Sequence, residues 1–331
     1  MRFGPVPTGE AEGAVLAHSV ALEGQRLRKG RVLEAGDIAA LQVAGIAEVI
    51  VARLASDDVG EDAAAEALAR AVAGGAEGIE LTAPFTGRVN LLAQGPGVAE
   101  LDVAALQAVN AVDPMITIAT VPPFQQMGPR GMIATVKIIS YGVPRAALDR
   151  ALSAAGAGAI RLRAPVLRRA RLIVTEIPGG VGDKGREAIA ARLEALGVTL
   201  AGVEMVPHRE EALRAALAAA DEELVLILTG SATSDPDDVG PAALRAAGGE
   251  VTRFGMPVDP GNLLFLGHLG ARQVIGLPGC ARSPALNGAD WVLSRMVCGI
   301  DVSSADIAGM GVGGLLKEIP TRPQPRRGRR D

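Results

Sequence analysis

The feature that most constrains the fold is a regular alternation of apolar strands and helices that begins near residue 165. Segments such as "ARLIVTEI" and "ELVLIL" are almost entirely apolar, whereas the intervening "DKGREAIAARLEALG" and "HREEALRAALAAA" are typical of helices. Strands that are apolar on both faces are typical of a parallel sheet covered by helices on both sides. The sequence therefore predicts a three-layer α/β/α domain with a mostly parallel sheet over residues 165–318.

The rest of the chain divides by length and local pattern. At 331 residues the chain exceeds what one hydrophobic core usually organises, so two or three domains are expected. Residues 1–79 predict an N-terminal α+β module, in which a helix opens after Gly36-Asp37. Residues 80–142 predict a small β-rich domain resembling a barrel or sandwich. Residues 143–164 predict a connecting helix.

Composition and charge argue against several functional classes. The net charge of −4 disfavours a nucleic-acid or anionic-membrane binder, although the proline-rich basic residues 319–331 predict a disordered tail. The two cysteines, Cys280 and Cys298, lack CxxC spacing and do not predict a disulfide framework or a zinc site. With neither a signal-peptide pattern nor an apolar run near the ~18 residues of a membrane span, we expect a cytoplasmic protein.

Three loops follow strands at the edge where such sheets bind ligands. The first is "TEIPGGVGDKG", in which Thr175 and Glu176 end a strand and Asp183 is predicted to cap a helix that begins at Lys184. The loop "GLPGCARSP" ends another strand and offers Arg282 to an anion. Together with the loop between them, these segments predict a binding cleft.

The remaining loop, "LTGSATSDPDDVGPAAL", combines small residues with aspartates. Thr229, Gly230, Ser231 and Ala232 leave room for a ligand to approach the backbone, and the following helix start favours an anion such as phosphate. Asp238 could hold Mg²⁺ that bridges to that phosphate. A plain capped turn explains the same residues, so the two interpretations stay open.

At these residues the chain resembles the molybdopterin-binding fold shared by the MoeA, MogA and gephyrin-type proteins of molybdenum cofactor biosynthesis. "DKG" is similar to an early motif of the MogA branch, and "DPGNLLFLG" and "GLPGCARS" are similar to segments of the MoeA branch. The loops and the resemblance together imply molybdopterin contacts at Thr175, Lys184, Thr229, Gly230, Ser231, Ala232, Pro260, Gly261, Asn262, Pro278, Gly279, Arg282 and Ser283. Catalytic roles are expected for Asp238, Asp183 and Glu176, with Asp238 as the metal ligand.

The resemblance also has departures. The second glycine of the family's phosphate loop is Ser231 here. The family's lysine after Pro-Gly is Asn262, and the loss of this positive charge implies weaker binding of phosphate. An acidic residue of the MogA branch is replaced by His208. This histidine is either an acid or base near neutral pH or a surface histidine.

The resemblance implies a molybdopterin-binding protein of molybdenum cofactor biosynthesis that acts in molybdate insertion or cofactor handling. The expected ligands are molybdopterin and Mg²⁺, with molybdate and ATP or CTP as further possibilities. Whether the chain is a molybdotransferase, an adenylyltransferase-like enzyme or a carrier stays open. One alternative is a carrier or sensor that serves a separate nucleotidyltransferase, and another is a CinA-type nucleotide-processing enzyme. The resemblance also favours a homo-oligomer, with a dimer preferred.

Overall fold

The computed structural model describes residues 1–316, so the predicted tail at 319–331 lies outside the described residues. The chain divides into two compact units. Unit 1 comprises residues 1–95, 99–123 and 129–162, and unit 2 comprises residues 96–98, 124–128 and the chain from 163 onward. In the described part of the chain, none of the helices has the length and apolar character that crossing a membrane requires.

The chain up to residue 163 is built from short strands and helices. The strands are β1 (Arg2–Pro7), β2 (Val15–Leu16), β3 (Val20–Leu22), β4 (Gln25–Leu27), β5 (Glu48–Arg53), β6 (Asp58–Gly60), β7 (Ile79–Leu81), β8 (Arg88–Ala93), β9 (Gly97–Leu101), β10 (Ile116–Thr120), β11 (Gln126–Met127), β12 (Met132–Ile138), β13 (Gly142–Pro144) and β14 (Ile160–Arg163). The helices are α1 (Ala35–Val43), α2 (Glu61–Ala73), α3 (Val103–Val112) and α4 (Arg145–Ala155). Antiparallel sheets with the strand orders β1-β5-β2 and β10-β12-β8-β7 organise this part.

Two local features of unit 1 differ from the sequence-based expectation. Helix α1 begins at Ala35, before the predicted Gly36-Asp37, because Glu34 and Asp37 form a capping box. Glutamate is not among the preferred N-cap residues, so the pattern did not reveal this start. The segment 80–142 also contains helix α3 among its strands. The predicted domain boundaries at 79, 142 and 164 stay predictions.

Unit 2 contains a six-stranded, mostly parallel sheet. Its elements are β15 (Arg169–Glu176), α5 (Arg186–Ala195), β16 (Thr199–Pro207), α6 (Glu210–Ala219), β17 (Leu224–Leu228), α7 (Val239–Ala246), β18 (Glu250–Phe254), β19 (Phe265–Leu269), β20 (Arg272–Leu277), α8 (Gly288–Val297) and α9 (Ser304–Gly309). The strand order is β16-β15-β17-β20-β19-β18. The first four strands pair in parallel, and β19 pairs antiparallel with both β20 and β18, so β19 alone runs in the reverse direction. The predicted mostly parallel sheet is confirmed.

The central strand β17 shows why the sheet has helices on both faces. Leu224, Leu226 and Leu228 lie in a core that includes apolar residues of α5 and α8. Val225 and Ile227 lie in a second core with residues of α6 and α7. Because successive side chains of a strand point to opposite faces, an entirely apolar strand needs a helical layer on each side. The predicted three-layer α/β/α arrangement is confirmed.

A buried ion pair lies at the start of the central strands, opposite the edge where the predicted loops lie. The carboxylate of Glu222 is 1% exposed and accepts two hydrogen bonds from Arg171, at 2.7 Å and 3.0 Å. These hydrogen bonds from Arg171 hold the pKa of Glu222 below its ordinary value, against the opposing effect of burial. Charged Glu222 therefore stabilises unit 2.

We expect Glu222→Gln to lower the free energy of unfolding by about 3 kcal/mol near neutral pH, because Arg171 loses its buried partner. Since the folded pKa of Glu222 is lowered, its contribution is complete above the unfolded value of about 4.3 and is lost as the pH falls through the folded value. Urea unfolding across this pH range should show the difference from wild type shrinking in acid. The exposed Glu194→Gln is the matched control, and a difference that does not change with pH would contradict this role of Glu222.

Candidate functional site

The carboxyl ends of the parallel strands bring three of the predicted loops to one edge of the sheet. The loop 175–184 follows β15, the loop 229–241 follows β17 and the loop 277–284 follows β20. These strands are neighbours and run parallel, so their ends lie side by side. This edge is where open α/β sheets bind ligands.

Thr175 joins the ends of three strands through its hydroxyl group. The backbone N–H of Gly230 donates to Thr175 Oγ1 at 2.9 Å. The same oxygen lies 2.8 Å from His208 Nδ1. The backbone N–H of His208 donates to the carbonyl oxygen of Glu176 at 2.8 Å. Thr175 is 1% exposed, so its buried hydroxyl group connects the loops at this edge of the sheet.

Gly230 is required by close packing against the end of β15. A Cβ added at this position would lie 2.6 Å from the carbonyl oxygen of Thr175 and 3.2 Å from the amide nitrogen of Ile177. Its own amide is also engaged by Thr175. Close packing therefore gives a structural reason for glycine at this position, and the expected contact of Gly230 with the ligand stays a prediction.

The next residues of the same loop present free backbone donors. The hydroxyl of Thr229 donates to the carbonyl oxygen of Ser231 at 2.6 Å and lies 3.2 Å from the hydroxyl of Thr233, which closes the loop internally. Ser231 and Ala232 are exposed. Their N–H groups donate to no acceptor within residues 1–316, so they are the amides of this loop that can receive an anion.

Asp238 is the N-cap residue of α7. Its Oδ1 accepts from the backbone N–H of Val239 at 2.8 Å, and its Oδ2 accepts from that of Ser234 at 3.2 Å. Asp237 pairs with Arg245 at 2.7 Å. Within residues 1–316, no group of three His, Cys, Asp or Glu side chains could hold a metal ion. The carboxylate geometry fits the cap, and Mg²⁺ binding by Asp238 stays a prediction.

Replacing Asp238 separates these two roles. We expect Asp238→Asn to change the free energy of unfolding by less than about 0.5 kcal/mol and Asp238→Ala to lower it by about 1 kcal/mol, because Asn caps a helix as well as Asp. Urea unfolding measures both changes. If Asp238 serves only as the cap, the Asn variant keeps any Mg²⁺ dependence of ligand affinity. A fall of about tenfold in the Mg²⁺-dependent affinity would instead establish Asp238 as a metal ligand.

Arg282 holds the three loops together. Its guanidinium group donates to the carbonyl oxygens of Gly182, at 3.3 Å, and of Lys184 in the first loop. It also donates to the carbonyl oxygen of Thr229 at 2.9 Å. Burial lowers the pKa of Arg282. These hydrogen bonds indicate a positioning role for Arg282, and the anion contact that the sequence predicts for its remaining N–H donors stays a prediction.

The expected helix cap at Asp183 is wrong. Helix α5 begins at Arg186 and its N-cap residue is Gly185, at a φ of 102°, with no side-chain cap. A Cβ at Gly185 would come within 2.7 Å of the Cα of Arg282, so this close approach also requires glycine. Asp183 and Lys184 are exposed and line a cavity of about 490 Å³ over residues 183–187.

The remaining predicted segment, Pro260-Gly261-Asn262, connects β18 to β19 at the same edge. The carbonyl oxygen of Pro260 accepts from the backbone N–H of Gly288, the first residue of α8, at 2.8 Å. Asn262 is exposed. Among the described residues, no hydrogen bond joins this segment to the other three loops. The structure therefore brings three of the four predicted segments into direct contact.

The other residues of the predicted site lie in the third loop. Pro278 is buried directly after β20, and Gly279 and Ser283 are exposed. The carbonyl oxygen of Ser283 accepts from Arg192 at 2.8 Å.

Arg192 is a positioning residue that sequence reasoning missed. It also donates to the carbonyl oxygens of Ala281, at 2.9 Å, and Ala285, at 3.1 Å, and it pairs with Asp290. These contacts fix the third loop on α5. Because the carbonyl partners lie about 90 residues away along the chain, nothing in the local pattern indicated this role. His208 was considered on its own, and its link to Thr175 was not foreseen.

Comparison with known families identifies the kind of domain that contains these loops. Residues 167–295 match the family described as "Probable molybdopterin binding domain". The chain therefore carries a molybdopterin-binding domain. Residues 5–53 match a family described as a domain of unknown function. The matched range contains all three contacting loops, and the resemblance found in the sequence is confirmed. The molybdopterin-binding domain is that of a molybdenum cofactor biosynthesis family.

Solved structures give further similarities. Molybdenum cofactor biosynthesis protein B is 18% identical and covers 40% of this chain and 88% of its own, with a TM-score of 0.28. A MoeA protein from Pyrococcus horikosii is 15% identical and covers 90% of this chain and 75% of its own, with a TM-score of 0.31. A molybdopterin biosynthesis protein from Mycobacterium abscessus is 15% identical and covers 40% of this chain and 92% of its own, with a TM-score of 0.29. Curated protein sequences give no significant match.

Proposed function

We propose that the molybdopterin-binding domain holds molybdopterin at the carboxyl edge of its sheet, with the phosphate group of the cofactor on the amides of Ser231 and Ala232. One observation carries this proposal: these two exposed N–H groups have no acceptor in the described chain, at an edge where three loops meet. Free backbone donors of this kind bind phosphate.

Two positively charged features of this edge favour the binding of an anion. Lys184 is exposed beside the 183–187 cavity, and the start of α7 carries the partial positive charge of a helix N-terminus. Arg282 contributes indirectly, because it sets the positions of the first and second loops. The chain's own groups therefore bind and orient the ligand.

We further propose that the domain acts in cofactor handling, by holding the pterin in a fixed orientation. The hydrogen bonds of Asp238 to Val239 and Ser234 support a structural use of this carboxylate. Positioning by preformed loops can contribute to a reaction without a covalent step on the protein. Molybdate insertion, or delivery to a separate nucleotidyltransferase, is the step that this binding would serve.

Calorimetry with molybdopterin, its adenylylated form, ATP and CTP tests the proposal, each with and without Mg²⁺ and molybdate. We expect saturable binding of molybdopterin. Turnover with molybdate would make the domain an enzyme, and binding without turnover would make it a carrier. Binding of ATP or CTP without any binding of molybdopterin would contradict the proposal and favour a nucleotide-processing enzyme.

We also propose the homodimer that the family resemblance favours, and it has a separate test. Sedimentation of the full chain at micromolar concentration should show a species larger than the monomer. Monomer alone under those conditions would contradict the dimer and would leave the binding proposal unaffected.

A further inference from the structure

The hydrogen bonds around Thr175 fix the protonation pattern of a neighbouring histidine. The backbone N–H of Gly230 can only donate, so Thr175 Oγ1 accepts that hydrogen bond at 2.9 Å. The hydroxyl group has one proton of its own to donate, and Thr175 is 1% exposed. The partner that the described chain offers to this proton is His208 Nδ1, at 2.8 Å.

Nδ1 of His208 is therefore the acceptor of the pair. A neutral imidazole that accepts at one nitrogen carries its proton on the other, so the ring is the Nε2–H form. A proton on Nδ1 would leave the buried hydroxyl proton of Thr175 without an acceptor, which costs free energy. Thr175 and Gly230 together select one tautomer.

The second ring nitrogen is available to a ligand. His208 is half-buried, and within residues 1–316 its Nε2 makes no hydrogen bond and is not sealed from solvent. One side chain, Thr175, separates the ring from Gly230 and the free amides that follow it. An N–H donor thus stands at the same edge as the phosphate loop.

We propose that His208 is an oxyanion-binding residue of the site, with Thr175 as its positioning residue. Its Nε2–H donates to an oxygen of a phosphate monoester or of molybdate, two oxyanions that share this chemistry. The inference rests on the proposed function, since it assigns a further contact to the same ligand.

Nitrogen-15 NMR of histidine-labelled full chain tests the tautomer. The chain contains three histidines, and His208→Gln identifies the signal by its loss. We expect the neutral form of the His208 ring to carry its proton on Nε2, and Thr175→Val to shift it toward a mixture of tautomers. A ring protonated at Nδ1 in the wild-type protein would overturn the inference whether or not any ligand binds.

Binding measurements test the contact itself. We expect His208→Phe to weaken binding of molybdopterin about tenfold or more, and His208→Gln, which keeps an N–H donor, to stay within about threefold of wild type. Inorganic phosphate and molybdate, used as separate probes, distinguish the two sources of the oxyanion. His268→Phe, at the opposite edge of the sheet, is the matched control.

The outcomes separate this inference from the proposed function. Wild-type binding of molybdopterin with unchanged affinity in a folded His208→Phe variant overturns the role of His208 alone. A wild-type chain that binds none of the three probes overturns the proposed function and the inference with it. If His208→Phe does not fold, two other measurements test the role of His208. These are the tautomer of the wild-type protein and the affinity of His208→Gln for molybdopterin. A tenfold loss of affinity in the Gln variant counts against the donor role.

Discussion

Gly230→Ala should lower both the stability of the molybdopterin-binding domain and its affinity for molybdopterin. The new Cβ would lie 2.6 Å from the carbonyl oxygen of Thr175, so the loop must move away from the end of β15. We expect a loss of about 2 kcal/mol in the free energy of unfolding, as for other overpacked sites. Affinity should fall about tenfold or more, because the amides of Ser231 and Ala232 move with the loop. Urea unfolding and calorimetry measure the two effects.

Gly309→Ala is the matched control for this prediction. Gly309 is an exposed glycine of α9, outside the predicted site segments, and a Cβ at this position would meet no atom within 4 Å. We expect its unfolding free energy to stay within about 0.5 kcal/mol of wild type. If Gly230→Ala weakened binding without any loss of stability, the glycine would be required by the ligand and the close packing would not be the reason for it.

Arg282→Met should destabilise the domain by about 3 kcal/mol, because three backbone carbonyl oxygens lose a charged donor. The first and second loops lose their common anchor, so we expect the affinity for molybdopterin to fall about tenfold or more. Arg282→Lys should behave like the Met variant, because an ammonium group cannot reproduce the fork geometry of guanidinium. Urea unfolding and calorimetry on both variants check this.

The control for Arg282 is Arg186→Met, which removes an exposed charge at the start of α5, beside the same loop. We expect little change in its stability. If Arg282→Lys kept wild-type affinity, Arg282 would contact the anion through its charge, as the sequence suggested, and its role as a positioning residue would be wrong.

The fold of unit 2 was predictable because its signal is local. A strand such as "LVLIL", apolar at every position, needs a covering layer on both faces, and β17 has that environment. Parallel strands then place the loops that follow them at one edge. The family resemblance lay in these same loops, which is why the domain could be predicted and a site at this edge could be proposed.

The detailed roles at the site were not predictable, because they depend on contacts between distant parts of the chain. Gly230 is separated from Thr175 by 55 residues, and Arg282 from Lys184 by 98. The sequence showed that position 230 is small but not that the end of β15 lies against it. It likewise showed a charge at position 282 but not the carbonyl oxygens that use it.

The most direct test of the central claim is a structure of the full chain with molybdopterin bound. We predict that the phosphate group lies within about 3 Å of the amide nitrogens of Ser231 and Ala232. Molybdopterin bound at the opposite edge of the sheet, in the cavity of about 410 Å³ lined by His268 and Gln273, would contradict the proposed binding site. The same complex with the phosphate against the free amides would establish the carboxyl edge as the binding site.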